Sequence, residues 1–230
     1  MEQDQDDIPL LRIRARPGAY ACGTETIEQI LRAALNVLVE EGSRAFTLRR
    51  IAAECGMKVG NLSYYFPRKE NLVAELLEAI LAGYSDMATE MLSPDVADPE
   101  ERLANIIALM MDDLRSKRTT NLFPELWALA NHEETVDRLV QDFYARAQES
   151  LAGRVKAVNA TLSDADAKAV ALLISATIEG TTIFAGHNKP WESKMPEIKA
   201  LAVQSLVHLA RTVRPDDLRA YRRKRTRVAA

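Results

Sequence analysis

The residues whose charge and spacing can do chemistry are basic, and they cluster in one short stretch of the chain. Between Ser43 and Lys69 the sequence has six Lys or Arg residues and one acidic residue, Glu54, which gives this stretch a local charge of +5. Salt screens charges beyond about 8–10 Å, so a partner senses the local charge and not the average over the chain. A polyanion such as DNA is the expected partner of these six residues, Arg44, Arg49, Arg50, Lys58, Arg68 and Lys69.

The charge of the whole chain hides this cluster. The 230 residues sum to −3 with a pI of about 5.8, which by itself argues against a nucleic-acid partner. Residues 71–217 have 14 basic and 23 acidic side chains, a charge of −9, whereas residues 218–230 have six basic side chains and no acid. The low average therefore comes from the larger, acidic part and does not describe the basic stretch.

The sequence lacks the motifs of common enzymes and metal sites. It has no HExxH, GxSxG, Walker A, GxGxxG or CxxC pattern, and its three His residues lack the Cys or Asp neighbours of a metal site or a catalytic triad. Cys22 and Cys55 are too few for a disulfide scaffold. We therefore expect no metal, no cofactor and no enzymatic activity.

No segment is expected to target or cross a membrane. The acidic N-terminal residues lack the basic flank and the apolar run of a signal peptide. The most apolar stretch, 169–186, contains Glu179 and three threonines and falls short of the ~20 apolar residues of a membrane span. We expect a cytoplasmic protein.

Helical periodicity runs along nearly the whole chain, and no segment alternates convincingly as a strand would. The sequence predicts an all-α protein of about nine helices, three of them in the first 70 residues. Capping signals mark two helix starts, Asp98 before Pro99 and Ser163 before Asp166. Besides two short helices around Gly56, the predicted helices cover about 25–41, 69–91, a segment from 99, 121–131, 133–159, 167–187 and 196–213.

Residues Leu48 to Phe66, LRRIAAECGMKVGNLSYYF, have the spacing of a helix-turn-helix, two short helices that cross around a tight turn. Ala52 is small enough for a close crossing, and four residues later Gly56 tolerates the positive φ of the turn. Thr47 is placed to cap the first helix. Any helical hairpin with Gly in its turn shares this spacing, and the +5 charge is what favours DNA.

From Glu25 to Leu76 the sequence resembles the DNA-binding domain of the TetR family of transcriptional regulators. The family pattern has a first helix ending in Gly, a Thr-capped helix, a short turn, a recognition helix ending in aromatic residues, and a Lys that opens the fourth helix. This sequence has Gly42, FTLRRIAAECG, MKVGNLSYYF and PRKENL in that order.

The resemblance implies four regions. A DNA-binding three-helix domain would span 23–70, and a helical domain for effector binding and dimerisation would span 71–215. An N-terminal arm, predicted to be disordered, would cover 1–22, and a basic tail would cover 216–230.

The resemblance also implies which side chains meet DNA. Thr47 and the start of its helix match a phosphate contact, Arg49 matches a position that reaches a base edge, and Lys69 matches a phosphate contact. The other implied contacts lie on the recognition helix, at groove or backbone positions. They are Lys58, Gly60, Asn61, Ser63, Tyr64 and Tyr65, of which Tyr65 could also belong partly to the core.

Three positions depart from the family pattern. Ser63 stands where the family usually has Tyr, Tyr65 where it often has His, and Lys58 where Ser is common. Ser63 can still bond a phosphate or a base, but it supplies no long aromatic contact. We therefore expect an operator unlike those of well-known members.

For the larger domain the resemblance implies a pocket for a small effector and a homodimer through the helices at about 167–187 and 196–213. The first of these helices is apolar nearly all round, so it needs cover on more than one side. A twofold dimer implies a palindromic operator. The effector pocket is expected among Met110, Met111, Phe123, Trp127, Phe143, Tyr144 and Glu179. Met and aromatic residues at such positions more often belong to the core than to a ligand pocket.

Together these features predict a ligand-responsive transcriptional regulator of the bacterial cytoplasm. It would be a repressor that binds double-stranded DNA and is released from it by a small effector. The alternative is a helical dimeric ligand-binding protein without DNA binding. Two further basic segments each allow two interpretations. Arg12, Arg14 and Arg16 suit a minor-groove arm or, more simply, a solvated tail, and RRKRTR at 222–227 suits solubilisation or pairing with the acidic body.

Overall fold

The computed structural model of the chain describes residues 11–12, 21–91 and 98–219, with only the backbone described at 21–22 and 87–91. Within these ranges the protein is helical and has no strand, which confirms the predicted all-α class. Two short 3-10 segments, Ser43–Ala45 and Glu192–Lys194, and a helical stretch at 215–219 accompany the main helices. These are α1 (Ala21–Glu41), α2 (Leu48–Glu54), α3 (Val59–Tyr65), α4 (Lys69–Met91), α5 (Pro99–Asp113), α6 (Lys117–Ala130), α7 (Glu134–Val158), α8 (Asp164–Ala185) and α9 (Met195–Thr212).

The predicted capping residues begin their helices. Asp98 accepts a hydrogen bond from the backbone N–H of Glu100 at 3.0 Å, and Pro99 is the first residue of α5. Ser163 accepts from the N–H of Asp166 at 3.2 Å and donates its hydroxyl to that carboxylate at 2.7 Å. Each cap satisfies an N–H group that the first turn of a helix leaves without a partner.

Helix α1 begins at Ala21 and α6 at Lys117, each four residues earlier than the sequence predicted, and α8 begins at Asp164, three residues earlier. The hydroxyl of Ser116 accepts from the N–H of Thr119 at 3.1 Å, so α6 starts at Lys117 and not at Asn121. Pro124 lies inside α6. The apolar periodicity that located this segment starts only at Leu122, which is why it marked the start too late.

The described residues fall into two compact units. Unit 1 contains Met1–Thr89 and Ser116–Tyr144 as far as these are described, and unit 2 contains Glu90–Arg115 and Ala145–Ala230 to the same extent. Helix α7 contributes residues to both units. The limits that the resemblance implied for the DNA-binding and effector domains stay predictions.

Unit 1 packs α1, α2, α3, most of α4, α6 and the start of α7 around one apolar core. Burying such side chains stabilises the unit by about 1.5–3 kcal/mol each. The largest fully buried ones come from all three helices of the predicted DNA-binding region and from α4. They are Phe46, Phe66, Ile30, Leu31, Leu38, Ile51, Leu62, Leu72, Leu76 and Ile80.

The start of the chain contacts α4. Leu11 is buried in the core of unit 1, and the backbone N–H of Arg12 donates to the carbonyl of Ala79 at 3.0 Å. The Nε of Arg12 lies 3.4 Å from a carboxylate oxygen of Asp86. Arg12 therefore contacts other residues of the protein. Arg14, Arg16 and the basic run at 222–227 lie outside the described residues.

Helix α8 is the most apolar helix of unit 2. It is long and apolar enough to cross a membrane by length and composition, with a mean hydropathy of 1.4 over its best 18-residue window, so the expectation that this stretch is too polar was too strict. One face of the helix packs inside unit 2, and 33% of its most apolar 18-residue window is buried. Its buried residues include Ala167, Val170, Ala171, Ile174, Ile178, Thr182 and Ala185.

Candidate nucleic-acid interface

Helices α2 and α3 form the helix-turn-helix that the spacing predicted. Gly56 in the turn has φ +67°, the left-handed conformation that favours Gly. The N–H of Met57 donates to the carbonyl of Ala52 at 2.9 Å, which closes the turn against α2. Ile51 and Leu62 are fully buried, so apolar side chains from both helices fix the crossing.

Helix α1 supports this turn from behind. The amide Nε2 of Gln29 donates to the carbonyl of Cys55 at 3.1 Å, at the C-terminal end of α2. Cys55 is half-buried, and its thiol pKa is raised by burial and, to a lesser extent, by the charge of Glu54. The thiol is therefore a packing group with little thiolate character at neutral pH.

Most of the predicted DNA contacts lie on the surface. Tyr64 is 83% exposed, and its ring meets that of Tyr65 edge-on with the centroids 5.3 Å apart. Tyr65 is half-buried and packs against the core of unit 1, and Ser63 is also half-buried. The exposed members of the predicted set are Thr47, Arg49, Lys58, Gly60, Asn61 and Tyr64.

Thr47 caps α2 as predicted. Its hydroxyl oxygen accepts from the N–H of Arg50 at 3.2 Å, with extended backbone angles that are typical of a cap. One donor of the first turn is thereby satisfied within the protein.

Two cations of the basic stretch are held by carboxylates of unit 1. The guanidinium of Arg50 bonds Glu41 at 2.5 and 2.9 Å and Glu54 at 2.7 Å. The hydrogen bonds to these two carboxylates raise the pKa of Arg50, and the bond from Arg50 lowers the pKa of Glu54. The Nζ of Lys69 lies 2.5 Å from a carboxylate oxygen of Glu133, and the two side chains are 26% and 30% exposed.

Helix α6 is fastened to the C-terminal end of α1, which sequence reasoning missed. The Nδ2 of Asn121 donates to the carbonyl of Val39 at 3.1 Å, and the N–H of Ser43 donates to Glu125 at 2.7 Å. Lys117 forms an ion pair with Glu40. These partners are about 80 residues apart in sequence, so no local pattern could have indicated them.

Four of the predicted effector residues come together in unit 1. Phe123 and Trp127 of α6 and Phe143 and Tyr144 of α7 form an aromatic cluster with Tyr84 of α4. Four ring pairs among the Phe and Tyr residues have centroids 5.4–6.5 Å apart. The indole N–H of Trp127 donates to the hydroxyl of Tyr144 at 2.9 Å. The rings pack on one another, and Trp127 and Tyr144 are half-buried.

The other three predicted effector residues belong to unit 2. Met111 of α5 is fully buried, and Met110 is half-buried. Glu179 of α8 is half-buried and interacts with another group of the protein. Two cavities, of about 610 and 280 Å³, also lie in unit 2, and neither is lined by any of the seven predicted residues.

Exposed large apolar side chains occur in two places within the described ranges. Val59 and Tyr64 lie on α3. All the others lie on α8, on α9 or between them, and they are Leu172, Leu173, Ile183, Phe184, Trp191 and Leu201. Across the same part of the chain, no group of three or more His, Cys, Asp or Glu side chains is arranged to hold a metal ion.

Comparison with known proteins identifies the two parts of the chain. Residues 30–76 match the family of bacterial regulatory proteins, tetR family, and residues 99–220 match the C-terminal family of BetI-type transcriptional repressors. An HTH-type transcriptional regulator from the dhlA 5' region of Xanthobacter autotrophicus is 27% identical over 162 residues, which are 69% of this chain and 78% of that protein.

Solved structures show the same fold. A transcriptional regulator of Saccharomonospora viridis in complex with choline superposes with a TM-score of 0.62 at 22% identity, covering 82% of this chain and 97% of that one. FadR of Bacillus subtilis in complex with stearoyl-CoA gives a TM-score of 0.62 at 19% identity, covering 80% and 97%. Because the second family match alone covers more than half of the residues, the chain belongs to the TetR family of bacterial transcriptional regulators, with a C-terminal part of the BetI type.

Proposed function

We propose that this regulator represses transcription as a homodimer on a palindromic operator in the bacterial cytoplasm, and that a small effector releases it. One observation carries the proposal. In the described part of the chain, exposed large apolar side chains are confined to α3 and to the α8–α9 region. Single exposed apolar residues are ordinary, but their concentration on two surfaces indicates two interfaces, one for DNA and one for a second copy.

The α3 surface suits a DNA groove. Arg49 and Asn61 have the hydrogen-bonding groups that read base edges, Arg with guanine and Asn with adenine. Lys58 and Tyr64 are exposed on the same short helix-turn-helix and suit phosphate contacts. Lys69 would exchange its present partner Glu133 for a DNA phosphate.

The α8–α9 surface suits a second copy of the chain. A partner copy that placed the same two helices against it would cover Phe184 and Ile183, which are 61% and 63% exposed. Such an isologous contact relates two recognition helices by a twofold axis. Half-sites in the operator would then lie about 34–36 Å apart, one helical turn of DNA, or a multiple of that.

The aromatic cluster of unit 1 suits an apolar or cationic effector. The faces of Trp127, Tyr144 and neighbouring rings attract organic cations, and the related-fold regulator of S. viridis was solved with choline. The rings already touch, so an effector that entered would have to separate Phe123 and Trp127 from α4 and α7. Since α6 is bonded to α1 and the loop after it, this displacement would move the helix-turn-helix.

Selection from a random pool of duplex DNA tests the operator. The full-length protein should enrich an inverted repeat, and log Kd for that site should rise linearly with log salt. Lys58→Ala should reduce the salt slope by about one, whereas Asn61→Ala should reduce the preference for the site more than the affinity for unrelated DNA. Absence of DNA binding at low salt would favour the ligand-binding protein without DNA binding.

A titration with choline tests the effector class. Choline should weaken binding to the selected operator in the wild type and have little effect in Trp127→Leu, which keeps apolar volume but loses the indole face. An unchanged operator affinity in the wild type at high choline concentration, with no choline binding detected by calorimetry, would reject an organic cation as effector.

A further inference from the structure

More exposed cations lie around the helix-turn-helix than the predicted DNA contacts account for. Arg50 and Lys69 of the basic stretch are held by carboxylates. The other four cations of this stretch are exposed, and none of them forms a side-chain hydrogen bond or ion pair within the described ranges. They are Arg44, Arg49, Lys58 and Arg68. Arg49 and Lys58 are predicted DNA contacts, so Arg44 and Arg68 are the two that remain without an assigned role.

Arg44 lies just before the helix-turn-helix. It belongs to the 3-10 segment Ser43–Ala45, which leads into the capping residue Thr47. The segment is held on both sides, because the N–H of its first residue donates to Glu125 at 2.7 Å and the next residue after it, Phe46, is buried in the core of unit 1. Arg44 is therefore an exposed cation on a fixed segment, and three residues of chain, at most about 11 Å, separate it from Thr47.

Arg68 lies just after the helix-turn-helix. It comes two residues after Phe66, whose buried side chain anchors the end of α3. The carbonyl of Arg68 accepts from the N–H of Asn71 at 3.1 Å, so its backbone is fixed at the start of α4. The following residue, Lys69, is already held by Glu133. In the described part of the chain, Arg68 is thus the cation at this end that has no carboxylate partner.

We propose that Arg44 and Arg68 contact backbone phosphates beside the DNA groove that receives α3. The inference rests on the proposed function, DNA binding through the helix-turn-helix. A recognition helix in the major groove brings the segments next to it close to the phosphates that border the groove. Arginine offers paired N–H donors to phosphate oxygens, and these two arginines need not break an ion pair within the protein to do so, whereas Lys69 must leave Glu133.

Salt titrations of the full-length protein on duplex DNA test the two contacts. Each lost phosphate contact should lower the slope of log Kd against log salt by about 0.9 for every bound copy of the chain. Arg44→Gln and Arg68→Gln should each show this loss, and the double variant should show the sum. The preference for the selected operator over unrelated DNA should stay unchanged, because phosphates carry no base information.

The matched control is Arg115→Gln. It removes an exposed arginine of unit 2 that likewise forms no side-chain hydrogen bond or ion pair within the described residues. Its slope should equal that of the wild type, because it lies outside the helix-turn-helix. Thermal unfolding of all variants should give the wild-type Tm, since each replaced side chain is exposed.

Operator duplexes with single neutral methylphosphonate linkages distinguish a direct contact from a general effect of charge. Where a linkage removes the phosphate that Arg44 contacts, it should weaken binding of the wild type but have little further effect on Arg44→Gln. Arg68→Gln should show the same loss of effect at a different linkage. A lower slope with no linkage that loses its effect would mean that the arginines act at a distance, and would overturn the proposed contacts.

The remaining outcomes separate this inference from the proposed function. Unchanged slopes in Arg44→Gln and Arg68→Gln, with DNA binding by the wild type and a lower slope in Lys58→Ala, would overturn the inference alone. An unchanged slope in one variant would remove that residue from the interface. A wild type that binds no DNA at low salt would overturn the proposed function and this inference with it.

Discussion

At the scale of single residues, pairing divides the cations of the basic stretch into two groups. Arg50 is bound by two carboxylates, and Lys69 is bound by Glu133. Arg49 and Lys58 are exposed at the helix-turn-helix surface. The local charge that a DNA phosphate meets is therefore set by these partners as well as by the number of basic residues.

Replacing Glu133 with Gln should strengthen DNA binding. The carboxylate competes with phosphate for the ammonium of Lys69, and an ion pair of this exposure contributes about 0.2–1 kcal/mol. Glu133→Gln should therefore lower Kd for duplex DNA by up to about fivefold, measured by fluorescence anisotropy at low salt. Glu134→Gln, which removes an exposed carboxylate paired with Arg138, is the control and should change Kd less. A higher Kd in Glu133→Gln would show that the pair positions Lys69 for DNA instead of competing with it.

Two glycines of the helix-turn-helix should respond oppositely to alanine. A Cβ at Gly56 or at Gly60 would meet no atom within 4 Å, but only Gly56 has a positive φ, +67°. Gly56→Ala should reduce the free energy of unfolding by about 1–2 kcal/mol because of the left-handed backbone. Gly60→Ala in α3 should leave it unchanged or raise it by up to about 1 kcal/mol. Chemical denaturation measures both, and equal destabilisation would show that φ does not decide the difference.

At the scale of elements, α6 connects the aromatic cluster to the DNA-binding helices. It supplies Phe123 and Trp127 to the cluster, and from another part of its surface Asn121 and Glu125 bond α1 and the residue after Gly42. Gly42 has φ +81°, and a Cβ there would meet the Glu125 carboxylate at 3.2 Å, so this junction is closely packed. A shift of α6 therefore reaches α1 through direct bonds within one unit.

Loosening this connection should reduce the response to effector more than the affinity for DNA. In the double variant Asn121→Ala with Glu125→Gln, we expect the effector to change operator Kd about twofold, against the five- to 150-fold common for allosteric coupling. Operator titrations with and without choline measure this ratio, and Asn105→Ala on the exposed surface of α5 is the control. An undiminished ratio would mean that coupling runs through another element. No effect of choline in the wild type would instead reject the effector class.

At the scale of the whole molecule, helix α8 has apolar surface that the single chain leaves exposed to solvent. It buries one apolar face and exposes Leu172, Leu173, Ile183 and Phe184 on the rest of its surface. Exposing such side chains to water is unfavourable by about 25 cal/mol per Å² of apolar area. These four side chains are the ones that the proposed dimer would cover.

Charge on this face should separate the dimer. The wild type is expected at twice the chain mass of 25.6 kDa in light scattering coupled to size exclusion. Phe184→Glu with Leu173→Glu should shift it to the monomer mass at micromolar concentration, because association would bury like charges without partners. Ala145→Arg, at an exposed position of α7, adds charge elsewhere and should stay dimeric. A monomeric wild type would contradict the dimer, and an intact double variant would place the contact on another surface.

The helices and the recognition motif can be predicted from the sequence, because their signals are local. Capping residues, apolar periodicity and the Gly56 turn act over a few neighbouring residues, and the bounds of α4, α7 and α9 follow the predicted ones within one residue. Which polar groups meet is visible only in the folded protein. The ion pair Lys69–Glu133 and the hydrogen bond from the backbone N–H of Ser43 to Glu125 join residues 64 and 82 positions apart. Their contacts depend on how whole helices pack, which no short stretch of sequence encodes. The basic stretch therefore predicted DNA binding without showing which of its cations are already paired with carboxylates of the protein.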